Sequence, residues 1–449
     1  MNATPKGYKV IEFQSDDPVW ELSPDEMKKF NLAENQSVTL KFGCLSTCVK
    51  VISKKLSYGV KLRMSNQVLQ ELRMPVNIKV SIKPSGEQEF RLGPVIGLLT
   101  FHHVVASKHL NFFLNYAIQL KSGLLYVFSY KGINPKTRTI KGYYYNFSKK
   151  TWDLCEFPYP DAVMDQCYPN AYRAHYHIEK ALGKGKIFNK KTMINKLNFY
   201  KALSKHNLLI NHLPETKALT GTADIEYFLN TYRNIFLKPV HGMKGNGIIT
   251  VSQKKNDLKC QYMAKGKKIE KKLTNPNEVF DVIKDLYRVK IPYVIQEAIP
   301  RMKYLGRPFS FRVIVSKNGS GQWLVPAIFP KAAAGDCFLT NHAAGAGFVP
   351  LKKLFGEITN QLPYTKKEFI DLLIDLAVET ARALDQKYGP LGELGIDIVT
   401  DRSGKPWLIE ANGNPGFVPW SHTIEFPDWR HQVFQLPVSY AIYLAGFND

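Results

Sequence analysis

Two apolar segments near the end of the chain are each interrupted by a carboxylate, and this pattern most constrains the fold. Leu394–Val399 contains Asp397, a turn follows at Asp401–Lys405, and Pro406–Asn412 contains Glu410. The pattern predicts a β-hairpin with two carboxylates inside otherwise apolar strands. A buried carboxylate is costly in free energy unless it is paired or coordinates a cation.

The same hairpin ends in an amide, Asn412, which adds a third oxygen to the two carboxylates. Carboxylate and amide oxygens are the ligands that a hard cation such as Mg²⁺ prefers. The sequence therefore predicts a magnesium site at Asp397, Glu410 and Asn412. The competing interpretation is that each carboxylate pairs with a Lys or Arg, since the chain holds 61 of these against 38 Asp and Glu.

The length of 449 residues predicts several domains, because a single hydrophobic core usually stops growing near ~250–300 residues. We predict a β-rich domain over residues 1–92, an α/β domain over residues 93–188 and a larger domain over residues 189–449. In the first, a Ser-capped helix followed by an alternating strand occurs twice, which predicts a small duplicated β-barrel. Chance recurrence of common helix-start signals is the alternative.

In the second predicted domain, the apolar run Val95–Thr100, the helix-like stretch Asn111–Leu120 and the strand-like Leu124–Ser129 follow one another. This order is typical of a βαβ unit with parallel strands. Ile140–Tyr145 and Thr151–Phe157 then predict a hairpin. In the third domain the amphipathic stretch Asp371–Leu384 predicts a helix packed on the sheet that holds the carboxylates.

The net charge of +23 indicates a surface that concentrates polyanions such as nucleotide phosphates, nucleic acid or an acidic peptide. Charge alone is equally compatible with solubility. The chain begins without signal-peptide features, and no apolar run approaches the ~18 residues that cross a bilayer, so we expect a soluble cytoplasmic protein. The six scattered cysteines predict reduced, structural thiols.

A glycine-rich loop follows the strand Ile235–Pro239, which carries Lys238 near its end. Gly242, Gly245 and Gly247 let this loop bend closely over phosphates and present backbone N–H groups, while the lysine supplies a point charge. The pattern favours a phosphate clamp, and an ordinary Gly-rich hairpin is the alternative. No Walker or dinucleotide-binding glycine motif is present.

The segment Tyr293–Pro300 predicts a buried strand that ends in polar residues, Gln296 and Glu297, followed by Ala298 and Ile299. Such a segment can pair an adenine edge with backbone groups while apolar side chains cover the ring. Taken alone, it is an ordinary strand.

With these pieces in this order, residues from about 189 to 445 resemble the ATP-grasp superfamily. Over its full length the chain is similar to the YheC/YheD-type group, described as endospore coat-associated in spore-forming bacteria. Gly93–Thr100, Phe157–Val163 and Gly306–Val313 support the likeness. The resemblance implies a multidomain α+β and α/β protein, in which an ATP-grasp fold follows an α/β pre-ATP-grasp domain and a small N-terminal β-barrel domain.

The resemblance also implies roles for single residues in binding ATP and two Mg²⁺ ions. The implied residues are Lys196 and Lys238 as nucleotide-binding lysines, the loop of Gly242, Gly245 and Gly247 as phosphate cover, Gln296, Glu297, Ala298 and Ile299 as the adenine hinge, Asp397, Glu410 and Asn412 as metal ligands, Arg312 at the transferring phosphate, and Asn341 in a loop facing the phosphates. By the same likeness, Lys238 and Arg312 assist catalysis.

The implied reaction moves the γ-phosphoryl of ATP to a carboxylate, and an amine attacks the acyl phosphate to form an amide. Implied partners are ATP, a carboxylate and an amine, with an acidic peptide and spore coat proteins as candidates. No membrane insertion is expected. One departure stands out: the family pattern has an acidic residue where Ser310 stands, two positions before Arg312.

Two alternatives remain open from the sequence. One is an ATP-binding structural protein of the spore coat that turns over weakly or not at all, favoured by Ser310. The other is a basic nucleic-acid-binding protein, suggested by the lysine-rich segment Lys254–Lys272, where a solvated hairpin is the commoner explanation. No general base is evident, because His241, His342 and His422 are each more typical of surface or core histidines.

Overall fold

Four sheets follow one another along the chain. The structure is a computed structural model that describes residues 7–57, 62–167, 172–190, 194–242, 245–254, 257–264, 267–286, 291–335, 337–340, 345–413, 415 and 427–448. Over these ranges, we find no helix with the length and apolar character needed to cross a bilayer.

The first sheet lies within residues 8–93. Its elements are β1 (Tyr8–Lys9), β2 (Glu12–Phe13), β3 (Val19–Leu22), α1 (Pro24–Phe30), β4 (Ser37–Phe42), β5 (Leu45–Ser53), β6 (Leu62–Ser65), α2 (Asn66–Glu71), β7 (Lys79–Gly86) and β8 (Glu89–Gly93). The strands pair in the order β1-β7-β8-β4-β5-β3-β6-β2. Strand, helix, strand, strand occurs twice in succession, and Ser23 and Ser65 precede the two helices in extended backbone. Both predicted helix–strand units are therefore present.

The second sheet lies within residues 95–188 and has the order β12-β11-β10-β9-β13-β14. Its elements are β9 (Val95–Leu99), α3 (His102–Val105), a 3₁₀ helix (Lys108–Phe113), α4 (Leu114–Ala117), β10 (Leu124–Asn134), β11 (Thr139–Asn146), β12 (Thr151–Pro158), β13 (Ala162–Asp165), α5 (Tyr172–Leu182) and β14 (Ile187–Phe188). β9 runs parallel to β10 and β13, and β11 and β12 form the predicted hairpin.

One detail of the second sheet was predicted wrongly. The stretch Asn111–Leu120 is not one helix but the end of the 3₁₀ helix followed by the single turn of α4. Asn and Phe have low helix propensity, and Phe113 and Tyr116 are buried. Packing of the aromatic rings therefore decides the backbone here, rather than helical periodicity.

The third and fourth sheets belong to the C-terminal part of the chain. The third has the order β15-β20-β16-β17-β18-β19 and the fourth β24-β23-β22-β25-β26. The elements are α6 (Lys196–Leu203), α7 (Asn207–Ile210), β15 (Thr216–Ala218), α8 (Thr222–Tyr232), β16 (Asn234–Pro239), β17 (Ile249–Lys254), β18 (Asp257–Ala264), β19 (Lys267–Leu273), α9 (Glu278–Leu286), β20 (Tyr293–Glu297), β21 (Lys303–Tyr304), β22 (Arg307–Lys317), β23 (Trp323–Ala332), β24 (Gly347–Phe348), α10 (Leu351–Ile358), a 3₁₀ helix (Thr359–Gln361), α11 (Lys366–Tyr388), β25 (Glu393–Thr400), β26 (Pro406–Asn412) and α12 (Pro427–Ala445).

Helix α11 covers one face of the fourth sheet, as predicted. It begins at a capping box in which Thr365 accepts from the N–H of Glu368, and the Glu368 carboxylate accepts from the N–H of Thr365. Phe369 and Leu373 share a hydrophobic core with strand residues that include Phe311 and Ile396. Since side chains alternate along a strand, the residues between these apolar ones point to the opposite face of the sheet.

Helix α12 packs against both the second sheet and the fourth. Its residues Val433, Val438 and Ala441 share a core with Ile96 and Leu98 of the second sheet. The same core includes Ile314 of β22 and Ala327 of β23. The last helix therefore joins the sheet of residues 95–188 to the fourth sheet, although the sequence placed it wholly in the third domain. The division at 1–92, 93–188 and 189–449 stays a prediction.

Candidate functional site

Strands β22, β23, β25 and β26 present one polar face opposite to helix α11. In the strand register Arg312 lies beside Asp397, Asp397 beside Glu410, and Ser310 beside Lys331. Because residues two apart on a strand share a face, this face is common to the whole group. Its members are Ser310, Arg312, Lys331, Asp397, Glu410 and Asn412.

Asp397 is the buried centre of this face and is held by two cations. Arg312 donates to it in a bidentate manner, with Nε 2.8 Å from Oδ1 and Nη2 2.9 Å from Oδ2. Lys331 Nζ lies 3.1 Å from Oδ1. Burial alone would raise the pKa of Asp397, but the two cations outweigh it and lower the pKa to about 2. The ion pairing that the sequence left as an alternative is therefore present at Asp397.

Lys196 lies between Glu410 and the glycine-rich loop. Lys196 Nζ donates to the carbonyl of Gly242 at 3.0 Å and lies 3.9 Å from Glu410 Oε2. Gly245 and Gly247 have φ angles of +77° and +72°, which L-residues with a side chain rarely adopt. Lys196 therefore links the loop after β16 to the strand that carries the second carboxylate.

Lys238 is a buried cation on the third sheet. It donates to Gln296 Oε1, and Gln296 Nε2 donates to Thr216 Oγ1 at 2.8 Å. Burial, the largest cause, and the neighbouring Lys196 together lower the pKa of Lys238 to about 7. The structure brings the two lysines predicted from the family resemblance close to each other and to the carboxylates of the fourth sheet.

The predicted adenine hinge follows directly after β20. The N–H groups of Glu297 and Ala298 are used within the protein, donating to the carbonyls of Glu215 and Asn234 at 3.0 Å and 3.1 Å. Ile299 is buried, and its N–H has no hydrogen-bond partner among the described residues. Of the four hinge residues, Ile299 therefore keeps a backbone donor for a bound molecule.

Two cations of the cleft were missed by sequence reasoning. Lys331 stands among apolar residues near the end of β23, and Arg301 follows the hinge. Arg301 is half-buried and donates to the carbonyl of Phe338 at 2.7 Å, and desolvation of the guanidinium lowers its pKa to about 10. Lys331 is a lone charge in an apolar segment, the criterion that identified Asp397 and Glu410, and applying it to cations would have found this lysine. Arg301 lies two residues before Lys303, so this criterion does not single it out.

Ser310 is buried on the polar face, and its Oγ has no hydrogen-bond partner in the described part of the chain. Its neighbours on the face are Lys331 in the strand register and Arg312 two residues on. The position where the family pattern has an acidic residue is therefore an uncharged site beside two cations.

The described cleft is strongly cationic. Five cationic side chains, those of Lys196, Lys238, Arg301, Arg312 and Lys331, accompany two carboxylates, Asp397 and Glu410. Over the described residues, no group of three or more His, Cys, Asp and Glu side chains comes together. A metal at this site would therefore depend on the two carboxylates, the Asn412 amide and oxygens from a ligand, and the predicted magnesium site stays a prediction.

Some predicted residues cannot be placed. Asn341, His342 and His422 lie outside the described residues, as do Met243 and Lys244 of the glycine-rich loop. His241 is described and is exposed. All six cysteines are free thiols in the structure.

The lysine-rich segment includes the hairpin β18–β19, and three lysines of this hairpin have acidic partners. Lys259 pairs with Glu270 at 2.7 Å, and Lys272 with Asp257 at 2.9 Å. Lys271 lies 3.1 Å from an Asp285 oxygen on α9. These three lysines contribute little to a polyanion-binding surface, because each already has a carboxylate beside it.

Comparison with known proteins adds a family to this geometry. A family model described as YheC/D-like ATP-grasp matches residues 184–444. The endospore coat-associated protein YheD of Bacillus subtilis (strain 168) is 26% identical over 376 residues, covering 80% of this chain and 80% of that protein. The endospore coat-associated protein YheC of the same organism is 25% identical over 330 residues, covering 70% of this chain and 85% of that protein.

Solved structures with a similar course of the chain share little sequence with it. D-alanyl-alanine synthetase A from Vibrio cholerae O1 biovar eltor str. N16961 has a TM-score of 0.46 at 13% identity, covering 79% of this chain and 98% of that chain. The ATP-grasp ligase PsnB with its minimal precursor has a TM-score of 0.44 at 13% identity, covering 77% of this chain and 99% of that chain. The assignment to a family rests on the family model alone.

Proposed function

The chain belongs to the YheC/D-like ATP-grasp family, and from this premise we propose that it binds Mg-ATP in the cleft between its third and fourth sheets and joins a carboxylate to an amine. The observation that carries the proposal is the cationic cleft, in which five cations accompany two carboxylates. A surplus of positive charge in a buried cleft is stable only when an anion offsets it, and a triphosphate has the required charge.

In this proposal the adenine ring lies against the hinge, where the free N–H of Ile299 donates to it. Gln296, Glu297 and Ala298 shape that wall of the pocket. The triphosphate extends toward Lys196 and Lys238 and under the loop of Gly242, Gly245 and Gly247. Asn341, which lies outside the described residues, is proposed to face the phosphates on the grounds of the family likeness.

The residues present fit a magnesium ion by the chemistry of their donor atoms. Asp397 and Glu410 are register neighbours, and Asn412 shares their face, so three oxygen-bearing side chains converge on one region. Bound there, Mg²⁺ would offset negative charge on the phosphate oxygens of ATP. The remaining ligands would be phosphate oxygens and water, as is usual for this ion.

Arg312 and Lys331 have two candidate partners in this proposal. Without nucleotide they pair with Asp397, whose Oδ1 lies 2.8 Å from Arg312 Nε and 3.1 Å from Lys331 Nζ. When phosphate oxygens enter the cleft, the guanidinium and ammonium groups can turn to them and leave Asp397 to the cation. Arg312 then stabilises the charge on the transferring phosphoryl group.

The proposed reaction has two steps. A substrate carboxylate oxygen attacks the γ-phosphorus, the bond to the bridging oxygen breaks, and ADP leaves with an acyl phosphate formed. An amine nitrogen then attacks the acyl carbon, inorganic phosphate departs, and the amine gives up a proton. Positioning and charge stabilisation, rather than covalent chemistry by the protein, are what such a transfer requires.

The second candidate function is an ATP-binding structural protein of the spore coat without turnover. Two observations favour it: Ser310 replaces the acidic residue of the family pattern, and the two Bacillus relatives bear the name endospore coat-associated. Association with the spore coat is likewise proposed here. The nucleic-acid alternative is disfavoured by the local pairing of the hairpin lysines.

Two measurements on the full chain test the proposal. Calorimetry should detect Mg-ATP binding that Glu410→Gln abolishes while circular dichroism is unchanged, and unaltered affinity in that variant would exclude the metal assignment. Release of ADP and phosphate should then be followed with a panel of carboxylates and amines, acidic peptides included. Binding without any stimulated release would instead favour the structural role.

A further inference from the structure

A second cleft, remote in sequence from the ATP-grasp residues, lies where the first sheet meets the second. Its volume is about 360 Å³. One wall comes from residues 76–79, directly before and at the start of β7. The other comes from α4 and the segment after it, the start of β10 and the end of β11 with its following turn. This volume is at the lower end of the range for small-molecule sites, which is roughly 300–1,000 Å³.

The walls of this cleft are mostly apolar, and several of the apolar side chains are exposed. Val76, Ile118 and Phe147 are 41%, 53% and 58% exposed and all line it. Further aliphatic lining comes from Ile78 and Leu120. Large apolar side chains are normally scattered singly on a surface, so three of them around one concavity indicate a binding site.

The rim of the cleft is cationic. Lys79 and Lys121 both line it and are exposed, and none of the lining residues is Asp or Glu. Neither lysine forms an ion pair with a carboxylate in the described parts of the chain. Elsewhere, many exposed lysines do have such partners, including those of the β18–β19 hairpin. The two lysines are therefore free to meet an external anion.

A backbone hydrogen bond joins the two segments that carry these lysines. The N–H of Gly123 donates to the carbonyl of Lys79 at 2.6 Å, which fixes the segment carrying Lys121 against the start of β7. Gly123 has a φ of +118°, and a Cβ there would approach the carbonyl oxygen of Pro94 to 2.3 Å. Only glycine permits this close approach, so the sequence at this position fixes how the two segments meet.

We propose that this cleft binds an acidic peptide segment that places one apolar side chain between Ile118 and Phe147 and carboxylates against Lys79 and Lys121. The exposed apolar walls fit a chain that continues beyond the cleft, whereas a small molecule would be largely enclosed. The net charge of +23 steers such a segment to the surface.

The composition of the walls favours a peptide over single-stranded nucleic acid. Bases bind on flat aromatic platforms, and here the aliphatic residues outnumber the aromatic ones. Phe147 is engaged edge-on with Tyr145, with ring centroids 5.1 Å apart. The proposal does not depend on the proposed ligation, because the cleft lies outside the predicted nucleotide-binding residues.

The experiment measures fluorescence anisotropy of a labelled seven-residue peptide, Asp-Leu-Glu-Phe-Asp-Leu-Glu, titrated with the full chain without nucleotide. We expect saturable binding that the double variant Lys79→Glu, Lys121→Glu weakens by about tenfold or more, because reversed charges repel the peptide carboxylates. Ile118→Glu should weaken it comparably. The matched control is Lys205→Glu with Lys352→Glu, two exposed lysines elsewhere with the same change in net charge, where affinity should change less than about twofold.

Further arms separate the possible sources of binding. A peptide with the same acids but Gly in place of Leu and Phe should bind at least about tenfold more weakly, since it lacks apolar contacts. Equal binding of the two peptides, equal loss in the control variant, or no saturable binding would each overturn the proposal. So would displacement of the peptide by decanoate or oligo-dT but not by unlabelled peptide. Calorimetry of Mg-ATP on the same variants keeps the outcome separate from that of the nucleotide site.

Discussion

Arg312 forms a bidentate ion pair with Asp397, with Nε 2.8 Å from Oδ1 and Nη2 2.9 Å from Oδ2. The two residues are register neighbours on β22 and β25 and are largely buried. Planar, two-point pairing of this kind fixes both side chains in orientation as well as in charge. The ion pair therefore holds a proposed metal ligand and a proposed phosphate-binding residue in place before either ligand arrives.

Replacing Asp397 with Asn should both destabilise the fold and weaken Mg-ATP binding. The substitution leaves two buried cations without their carboxylate, and breaking a buried pair in this way costs about 3–5 kcal/mol. Thermal unfolding measures the first effect and calorimetry the second. The matched control is Asp385→Asn, which removes the carboxylate 2.6 Å from buried Lys317 on the same sheet. This control should destabilise the fold but leave the Mg-ATP affinity unchanged. If it lost as much affinity as Asp397→Asn does, the loss in Asp397→Asn would be a consequence of destabilisation and not of a lost metal ligand.

Nucleotide binding should take up a proton near pH 8. The pKa of Lys238 is lowered to about 7 by burial and by Lys196, so above that pH its side chain is mostly the neutral amine. Phosphate oxygens favour the charged form and raise the pKa, and the proton comes from solvent. Calorimetry in buffers of different ionisation enthalpy measures the uptake directly.

The control for this prediction is Lys238→Arg. Arginine stays protonated throughout this range, so the variant should bind nucleotide without proton uptake. Uptake that persists unchanged in Lys238→Arg would assign it to another group. The lowered pKa of Lys238 also affects the stability of the apoprotein. An unfolded lysine titrates near ~10.4, so between about pH 7 and 10 the unfolded state holds a proton that the folded state has released. The free energy of unfolding should therefore rise over this range.

Much of the site could be predicted because its signals are local. The apolar strands interrupted by Asp397 and Glu410 can be recognised within a few residues of sequence, and so can the closely spaced glycines of the loop, two of which adopt positive φ. The partners of Asp397 were not predictable in the same way, because Lys331 reaches it only through the register of β22 with β23 and β25. Pairing between distant strands is decided by the whole sheet, and no local pattern encodes it.

Glu393 should make stability depend on pH in the opposite sense to Lys238. Burial raises its pKa to about 8, and its Oε1 has no partner among the described residues. An unfolded glutamate titrates near ~4.3, so between these values the folded state holds a proton that the unfolded state releases. The free energy of unfolding should therefore fall as pH rises from about 4.3 to 8.

Glu393→Gln removes this dependence while keeping the shape of the side chain. The stability gained over wild type should grow between pH 5 and pH 8 by up to a few kcal/mol, since one pKa unit corresponds to about 1.36 kcal/mol. Denaturant unfolding at the two pH values measures it. Glu357→Gln, at an exposed position of α10, is the control and should show no such trend. A constant difference across pH would mean that Glu393 is ionised in the folded protein.

Ser310 and Ser316 are two buried serines on the same face of β22, and each Oγ lacks a hydrogen-bond partner among the described residues. They differ in surroundings: Ser310 lies beside Lys331 in the strand register, and Ser316 lies beside Glu393. An aspartate at 310 can therefore pair with a cation, whereas one at 316 would face a second carboxyl group. Ser310→Asp should leave the melting temperature near that of wild type.

Ser316→Asp should instead destabilise the protein by about 3 kcal/mol or more, because it buries a charge without a cation. If the missing acidic residue limits turnover, Ser310→Asp should also raise the rate of ADP release with a competent substrate, while Mg-ATP affinity changes little. Thermal unfolding and a coupled ADP assay test both parts. Should Ser310→Asp unfold the protein as severely as Ser316→Asp does, the cations around Asp397 are already fully engaged, and the uncharged serine is required by the packing of this face.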